Sequence, residues 1–194
     1  AMLFLGGVQC RWFVLGGAVM ALGLLALLGA GGYEASRLTA WRDPFSDPTD
    51  DGYQIIQSLY AIGSGGLWGL GFGQGRQKYL YLPEEHNDYI FAIACEELGL
   101  MGALAILTLY ALLILRGYYI AMHLRDRFLS LMVAGITTLT ALQVFFNIGV
   151  VTNLLPSTGI SLPFFSYGGT ALLIQLGEMG LVLGASRQCS AGFL

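Results

Sequence analysis

The chain has 194 residues, of which 56% are hydrophobic and only 11% are charged, whereas ordinary soluble domains carry roughly 25% charged residues. This composition excludes an ordinary soluble domain and indicates a membrane protein. The net charge of −3 comes without any basic tract interleaved with aromatic residues, so nothing indicates a nucleic-acid partner.

Four apolar windows are long enough to be read as membrane spans, each of which takes about 20 residues. The windows are 12–32, 90–115, 128–151 and 170–185, and the last is short and contains Gln175 and Glu178. We therefore predict an all-α polytopic membrane protein with one membrane domain over residues 1–194. Four transmembrane helices would then be separated by a long loop at 33–87 and a second loop at 152–169.

Basic residues predict the orientation of these spans. They stand before the first window, between the second and third windows, and after the fourth: Arg11, Arg116, His123, Arg125, Arg127 and Arg187. Short loops rich in arginine mark the cytoplasmic side, so both termini are expected inside and both loops outside. The bases of the long loop do not contradict this orientation, because long loops cross the membrane largely regardless of charge.

Glycines and cysteines add two expectations. Many of the 28 glycines lie inside the apolar windows, which favours close packing against further helices. The chain also begins with Ala1 and opens into an apolar stretch, so we expect the C-terminal part of a larger membrane protein. The three cysteines, Cys10, Cys95 and Cys189, lack disulfide or zinc spacing and are predicted to be small buried hydrophobic residues.

The long loop has internal order. Asp-Pro pairs at 43–44 and 47–48 indicate turns. Apolar residues of 53–62 fall on one helical face, which predicts a helix lying on the membrane surface. The glycine-rich stretch 63–78 is expected to hinge or to approach a ligand closely. Its Gly-x-Gly spacing follows no predicted strand, so a dinucleotide site is not expected.

Acidic residues cluster around the start of the second window. Asp88 stands at its mouth, where a carboxylate is costly to desolvate and invites a functional interpretation. The residues alone favour a simpler role, in which Asp88 caps the following helix and stabilises it by roughly 1 kcal/mol. Glu96 and Glu97 lie about 80° and 180° around the helix from Asp88, so they are not expected to share its cleft. Buried structural pairing is expected for one of them.

A resemblance to a known family extends over nearly the whole chain. The segments that carry it are 41–45 (WRDPF), 71–75 (GFGQG), 86–92 (HNDYIFA), 96–99 (EELG), 147–151 (NIGVV), 155–159 (LPSTG) and 162–169 (LPFFSYGG). Together they resemble the SEDS family of bacterial peptidoglycan polymerases, and the division and sporulation branch more than the rod-elongation branch. The resemblance implies the last four spans of a ten-helix fold in the bacterial cytoplasmic membrane.

The resemblance also implies a function. Family members are peptidoglycan glycosyltransferases that polymerise lipid II, an undecaprenyl-pyrophosphate-linked disaccharide pentapeptide, at the outer membrane face, beside a class B penicillin-binding transpeptidase. Asp88 matches the essential aspartate and would be the catalytic base. The candidate substrate-binding residues are Lys78, Arg76, Arg42, Glu84 and His86. A divalent cation, Mg²⁺ or Mn²⁺, is a further expectation.

Several alternatives stay open beside this interpretation. Glu84 and His86 also fit a solvated loop acid and a surface imidazole, and Arg76 and Lys78 also fit contacts with lipid head groups. Gln143, Asn147 and Glu178 are predicted to form interhelical hydrogen bonds. The alternative functions are a lipid II flippase and a non-catalytic scaffold for a transpeptidase. We expect this chain by itself to be inactive.

Overall fold

A computed structural model of the chain describes residues 9–29, 33–46, 51–75 and 88–190. These ranges contain α-helices and one short 3₁₀ helix, and no β-strand. The helices are α1 (Cys10–Gly29), α2 (Tyr33–Arg42), the 3₁₀ turn (Pro44–Ser46), α3 (Asp51–Gly65), α4 (Ile90–His123), α5 (Arg127–Val151) and α6 (Gly169–Ser190). The all-α fold class is therefore confirmed.

Three of these helices, α4, α5 and α6, are long and apolar enough to cross a membrane. They coincide with the second, third and fourth predicted spans, and the prediction of a multi-pass membrane protein is confirmed. Helix α1 overlaps the first predicted window, but its apolar stretch Arg11–Gly23 is shorter than a span. The first span therefore stays a prediction.

The connection between the second and third spans differs from the prediction. Arg116 and His123 lie on α4, and the turn between α4 and α5 consists of residues 124–126. Helix α4 extends past the predicted span because it has 34 residues. A helix of that length measures about 50 Å, whereas the apolar core of a bilayer is about 30 Å thick. The side chain of Asp126 begins α5 by accepting a hydrogen bond from the amide of Phe128 at 2.9 Å.

The predicted helix at 53–62 is confirmed as part of α3, but its apolar face covers protein. Ile55 and Ile56 are buried, Ala61 is fully buried, and the hydroxyl of Ser58 donates to the carbonyl of Val151 at 2.6 Å. α3 packs chiefly against α4. The expectation of a helix resting on the membrane surface is replaced by a helix docked on the bundle. Residues 66–75, called the glycine segment below, follow it.

The apolar core lies between α3, α4, α5 and the second loop. Its buried members include Tyr89, Phe91, Tyr110, Val144 and Leu162. Nearer the turn between α4 and α5, the two helices approach closely. A Cβ atom at Gly117 of α4 would overlap the hydroxyl of Thr137 on α5. Glycine permits this close approach because it has no side chain to hold the two helices apart.

Candidate functional site

Asp88 lies two residues before Ile90, where α4 starts. Tyr89, which is 2% exposed, occupies the N-cap position and makes no side-chain capping hydrogen bond. Asp88 therefore stands one residue before the position that the capping interpretation assigned to it. Its side chain is half-buried, and its backbone carbonyl accepts a hydrogen bond from Nδ2 of Asn147 at 2.7 Å.

The carboxylate of Asp88 faces the second loop. Its Oδ2 atom lies 3.4 Å from the point that a Cβ atom of Gly159 would occupy. Gly159 has φ +68°, a left-handed backbone conformation that glycine adopts without steric cost. The loop backbone can therefore approach the carboxylate, with no side chain between them at this point.

The second loop is fixed to the helices on several sides. The guanidinium of Arg37 on α2 donates to the carbonyl of Ser157 at 3.2 Å. Nδ2 of Asn147 on α5 donates to the carbonyl of Ile160 at 2.8 Å. These bonds hold the loop on both sides of Gly159.

Two more side chains hold the following part of the second loop. The hydroxyl of Tyr110 on α4 donates to the carbonyl of Pro163. The side-chain oxygen of Gln175 on α6 accepts from the amide of Phe164 at 2.8 Å, and Phe164 has φ +66°. A bulky residue keeps such a conformation only where its surroundings impose it. The second loop is therefore held by hydrogen bonds from four helices and forms a wall beside Asp88.

An apolar recess of about 290 Å³ opens between α4 and the second loop. Its lining consists of α4 residues and the two adjacent phenylalanines of the loop: Ile106, Leu109, Tyr110, Leu113, Phe164 and Phe165. Such a surface has the chemistry to hold a hydrocarbon chain. The second loop therefore contributes both Gly159, which faces Asp88, and the two phenylalanines that line the recess.

Helix α4 is interrupted at Gly99, where φ is 67° and ψ is −168°. The interruption separates the amides of Leu100 and Met101 from the carbonyls four residues earlier, their partners in a continuous helix. Leu100 instead donates to the carbonyl of Gly66 at 2.9 Å, and Met101 donates to that of Leu67 at 3.3 Å. Carbonyls of the glycine segment thus replace the helical acceptors that the first amides of the second half of α4 lack.

The carbonyls on the other side of the break also find partners in the glycine segment. Glu96 accepts from the amide of Leu70 at 3.0 Å, and Glu97 accepts from the amide of Gly71 at 3.1 Å. Backbone groups need such partners most where no water is at hand, as inside a membrane. Within the stretch that the sequence indicated as a hinge, residues 66–71 are therefore hydrogen-bonded to α4.

The side chains of Glu96 and Glu97 converge on the end of the glycine segment. Glu96 is 1% exposed and Glu97 is 9% exposed. Oε2 of Glu97 accepts from the amide of Gly73 at 2.9 Å, and a Cβ atom on Gly75 would lie 2.9 Å from Oε2 of Glu96 and 3.1 Å from Oε1 of Glu97. Both side chains therefore reach the same end of the glycine segment, away from the second loop that Asp88 faces.

The predicted site residues have different outcomes. Asp88 lies at the anchored wall described above, whereas Arg42 is exposed at the last position of α2. Four candidates lie outside the described residues: Arg76, Lys78, Glu84 and His86. Their predicted roles stay predictions.

The structure adds Asn147, Gly159 and Arg37 to the site. The sequence signal for Asn147 was a polar residue inside an apolar helix, a placement that is costly in a membrane. Its predicted partner was Glu178, but in the described part of the chain its amide donates to Asp88 and Ile160. In the same ranges, no three His, Cys, Asp or Glu side chains converge to hold a metal ion.

Comparisons with known proteins identify the family of the chain. The family model FtsW/RodA/SpoVE, described as "Cell cycle protein", matches residues 1–191. The chain belongs to this family. Stage V sporulation protein E of Bacillus subtilis (strain 168) is 47% identical over 186 residues, which cover 96% of this chain and 51% of that relative. The probable peptidoglycan glycosyltransferase FtsW of Geobacter sp. (strain M18) is 43% identical over 187 residues, with 96% and 51% covered.

A solved structure supports the family fold. A chain from a peptidoglycan synthase complex, described for its structural coordination of polymerization and crosslinking, is similar with a TM-score of 0.73 and 30% identity. The match covers 96% of this chain and 52% of that chain. The SEDS resemblance is thus confirmed, and the chain spans about half the length of the curated relatives that it matches.

Proposed function

We propose that this protein is a peptidoglycan glycosyltransferase that polymerises lipid II into glycan strands at the outer face of the bacterial cytoplasmic membrane, in cell division or sporulation. The observation that carries the proposal is the carboxylate of Asp88, placed at the mouth of a membrane helix against the anchored second loop. A carboxylate at that level can serve chemistry on a lipid-linked sugar whose head group lies at the membrane surface.

Asp88 acts as the general base in this proposal. It takes the proton from the attacking sugar hydroxyl, whose oxygen then forms the new bond to the anomeric carbon of the donor. The bond from that carbon to the pyrophosphate oxygen breaks, and undecaprenyl pyrophosphate leaves with the bonding electron pair. A single displacement inverts the α-linked donor to a β-linked product, so one base suffices and no covalent enzyme intermediate is required.

The leaving pyrophosphate requires positive charge near it. We assign this role to Arg76 and Lys78, with Arg42 as a further candidate, and Glu84 and His86 as substrate contacts. The apolar recess beside Phe164 and Phe165 fits the polyprenyl chain. These assignments follow from charge and chemistry, and substituting each residue in turn tests them.

A divalent cation, Mg²⁺ or Mn²⁺, would supply charge stabilisation of the departing pyrophosphate. Asp88 has the oxygen ligand that such ions prefer. In the described ranges Asp88 does not belong to a cluster of three ligating side chains. These residues alone therefore do not make a metal site, and no step above is routed through one.

The proposed partner is a class B penicillin-binding transpeptidase. The support is the similarity to a chain from a complex in which polymerization and crosslinking are coordinated. Two Geobacter relatives bear the name "Probable peptidoglycan glycosyltransferase FtsW", so the comparisons favour the polymerase over the flippase and the scaffold.

The test is Asp88→Asn in the complete protein, assayed for lipid II polymerisation after purification with its partner. Removing a general base typically lowers the rate by about 10²–10⁴. Asp126→Asn is the matched control, since Asp126 is exposed at the opposite end of α5 and an asparagine there still caps the helix. A folded Asp88→Asn protein that polymerises lipid II as fast as the control would refute the proposal.

A further inference from the structure

The carboxamide of Asn147 joins two backbone segments that border the carboxylate of Asp88. Asn147 is 1% exposed on α5. Its Nδ2 atom donates to the carbonyl of Asp88 at 2.7 Å and to the carbonyl of Ile160 at 2.8 Å. Ile160 directly follows Gly159, the residue that faces the carboxylate. One side chain therefore ties the carboxylate's own backbone to the opposing loop.

The orientation of this amide is determined by its partners. Both acceptors are carbonyl oxygens, so they must face the NH₂ group, because a flipped amide would set Oδ1 against two oxygens. Oδ1 of Asn147 is buried without a hydrogen-bond partner within the described ranges. Within the described ranges, the side chain of Asn147 therefore acts as a hydrogen-bond donor through Nδ2 and not as an acceptor.

We propose that Asn147 is a positioning residue for the reaction: it fixes the backbone of Asp88 relative to Gly159 and so sets where the catalytic carboxylate points. This inference rests on the proposed function of Asp88. A general base has to lie within hydrogen-bond reach of the hydroxyl that it deprotonates. A displacement of about 1 Å can lower a rate by roughly 10²-fold. Asn147 is buried and acts through Asp88.

Two substitutions separate hydrogen-bond donation from shape. Asn147→Ala removes both hydrogen bonds, whereas Asn147→Asp keeps the shape and replaces the donor with an oxygen. Gln143→Ala is the matched control, because Gln143 is a half-buried amide one turn earlier on the same helix. All variants are made in the complete protein and compared for kcat with lipid II, for lipid II affinity and for the folded fraction.

The expected result is a fall in kcat of roughly 10- to 100-fold for both Asn147 variants, with lipid II affinity and folded fraction equal to those of Gln143→Ala. A merely structural role would lower affinity and folded fraction together with kcat, and that outcome overturns the inference. A kcat equal to that of the control also overturns it.

Measuring Asp88→Asn in parallel separates two kinds of failure. If Asp88→Asn keeps the full rate, the proposed function fails, and this inference fails with it. If Asp88→Asn loses the rate while Asn147→Ala keeps it, the inference about Asn147 alone is wrong.

Discussion

Gly99 and Gly69 approach each other so closely that a Cβ atom on Gly99 would overlap the backbone nitrogen of Gly69. A Cβ atom on Gly69 would in turn overlap the carbonyl oxygen of Glu97. Backbone therefore packs directly on backbone where the glycine segment enters the break in α4. This contact holds the glycine segment directly against α4.

Gly99→Ala is expected to destabilise the protein strongly. The backbone of Gly99 adopts a conformation that is essentially restricted to glycine, and strain of this kind costs about 1–3 kcal/mol. The overlap with Gly69 adds to that cost. The measurement is the midpoint of thermal unfolding of the purified protein in detergent.

Gly63→Ala is the control for Gly99→Ala. Gly63 lies in α3, and a Cβ atom there would meet nothing within 4 Å. Alanine also has the higher helix propensity, by roughly 1 kcal/mol, so the unfolding midpoint should stay unchanged or rise. Equal midpoints for the Gly99 and Gly63 variants would show that the break in α4 tolerates a side chain.

The membrane class and most of the helices could be predicted from the sequence. Apolar windows of membrane length predict spans because the bilayer sets the length. The apolar residues at 55, 56, 59 and 62 predicted a helix because the helical repeat can be recognised within a few turns of sequence. Asp88 stood out because a carboxylate at the start of an apolar run is unusual, whereas its catalytic role was implied by the family resemblance and stays a prediction. Each of these signals depends on neighbouring residues alone.

The break and the role of Asn147 could not be predicted in this way. A glycine inside a membrane helix is common, so Gly99 carried no mark of an interruption, and its partners lie about 30 residues earlier in the chain. The acceptors of Asn147 are 59 and 13 residues away. A polar residue in an apolar helix indicates that it needs a hydrogen-bond partner, but a single sequence does not identify that partner.

The orientation derived from arginine placement gives a further prediction. Thr158, exposed in the second loop, should be outside the cell, and Arg125, exposed in the turn between α4 and α5, should be inside. Thr158→Cys and Arg125→Cys are made separately in a background without the native cysteines. A membrane-impermeant thiol reagent added to intact cells should label the first variant and reach the second after lysis.

The opposite labelling pattern would overturn the orientation. It would also place Asp88 on the cytoplasmic side, because the second loop and Asp88 lie at the same end of the bundle. A polymerase acting outside the membrane would then be excluded. The labelling experiment therefore checks the proposed function independently of any activity assay.

The last prediction concerns the hold of Glu97 on the glycine segment. Its buried side-chain oxygen accepts from the amide of Gly73 at 2.9 Å, and a buried amide left without its acceptor costs about 1–3 kcal/mol. Glu97→Leu removes the acceptor, whereas Glu97→Gln keeps a side-chain oxygen at the same reach. In Glu97→Leu, the amides of Leu70, Gly71 and Gly73 should exchange with deuterium faster. Glu97→Gln should lie between Glu97→Leu and the unsubstituted protein, and Glu178→Gln on α6 should leave the exchange unchanged. Unaltered exchange in Glu97→Leu would show that the backbone bonds across the break hold the segment without the carboxylate.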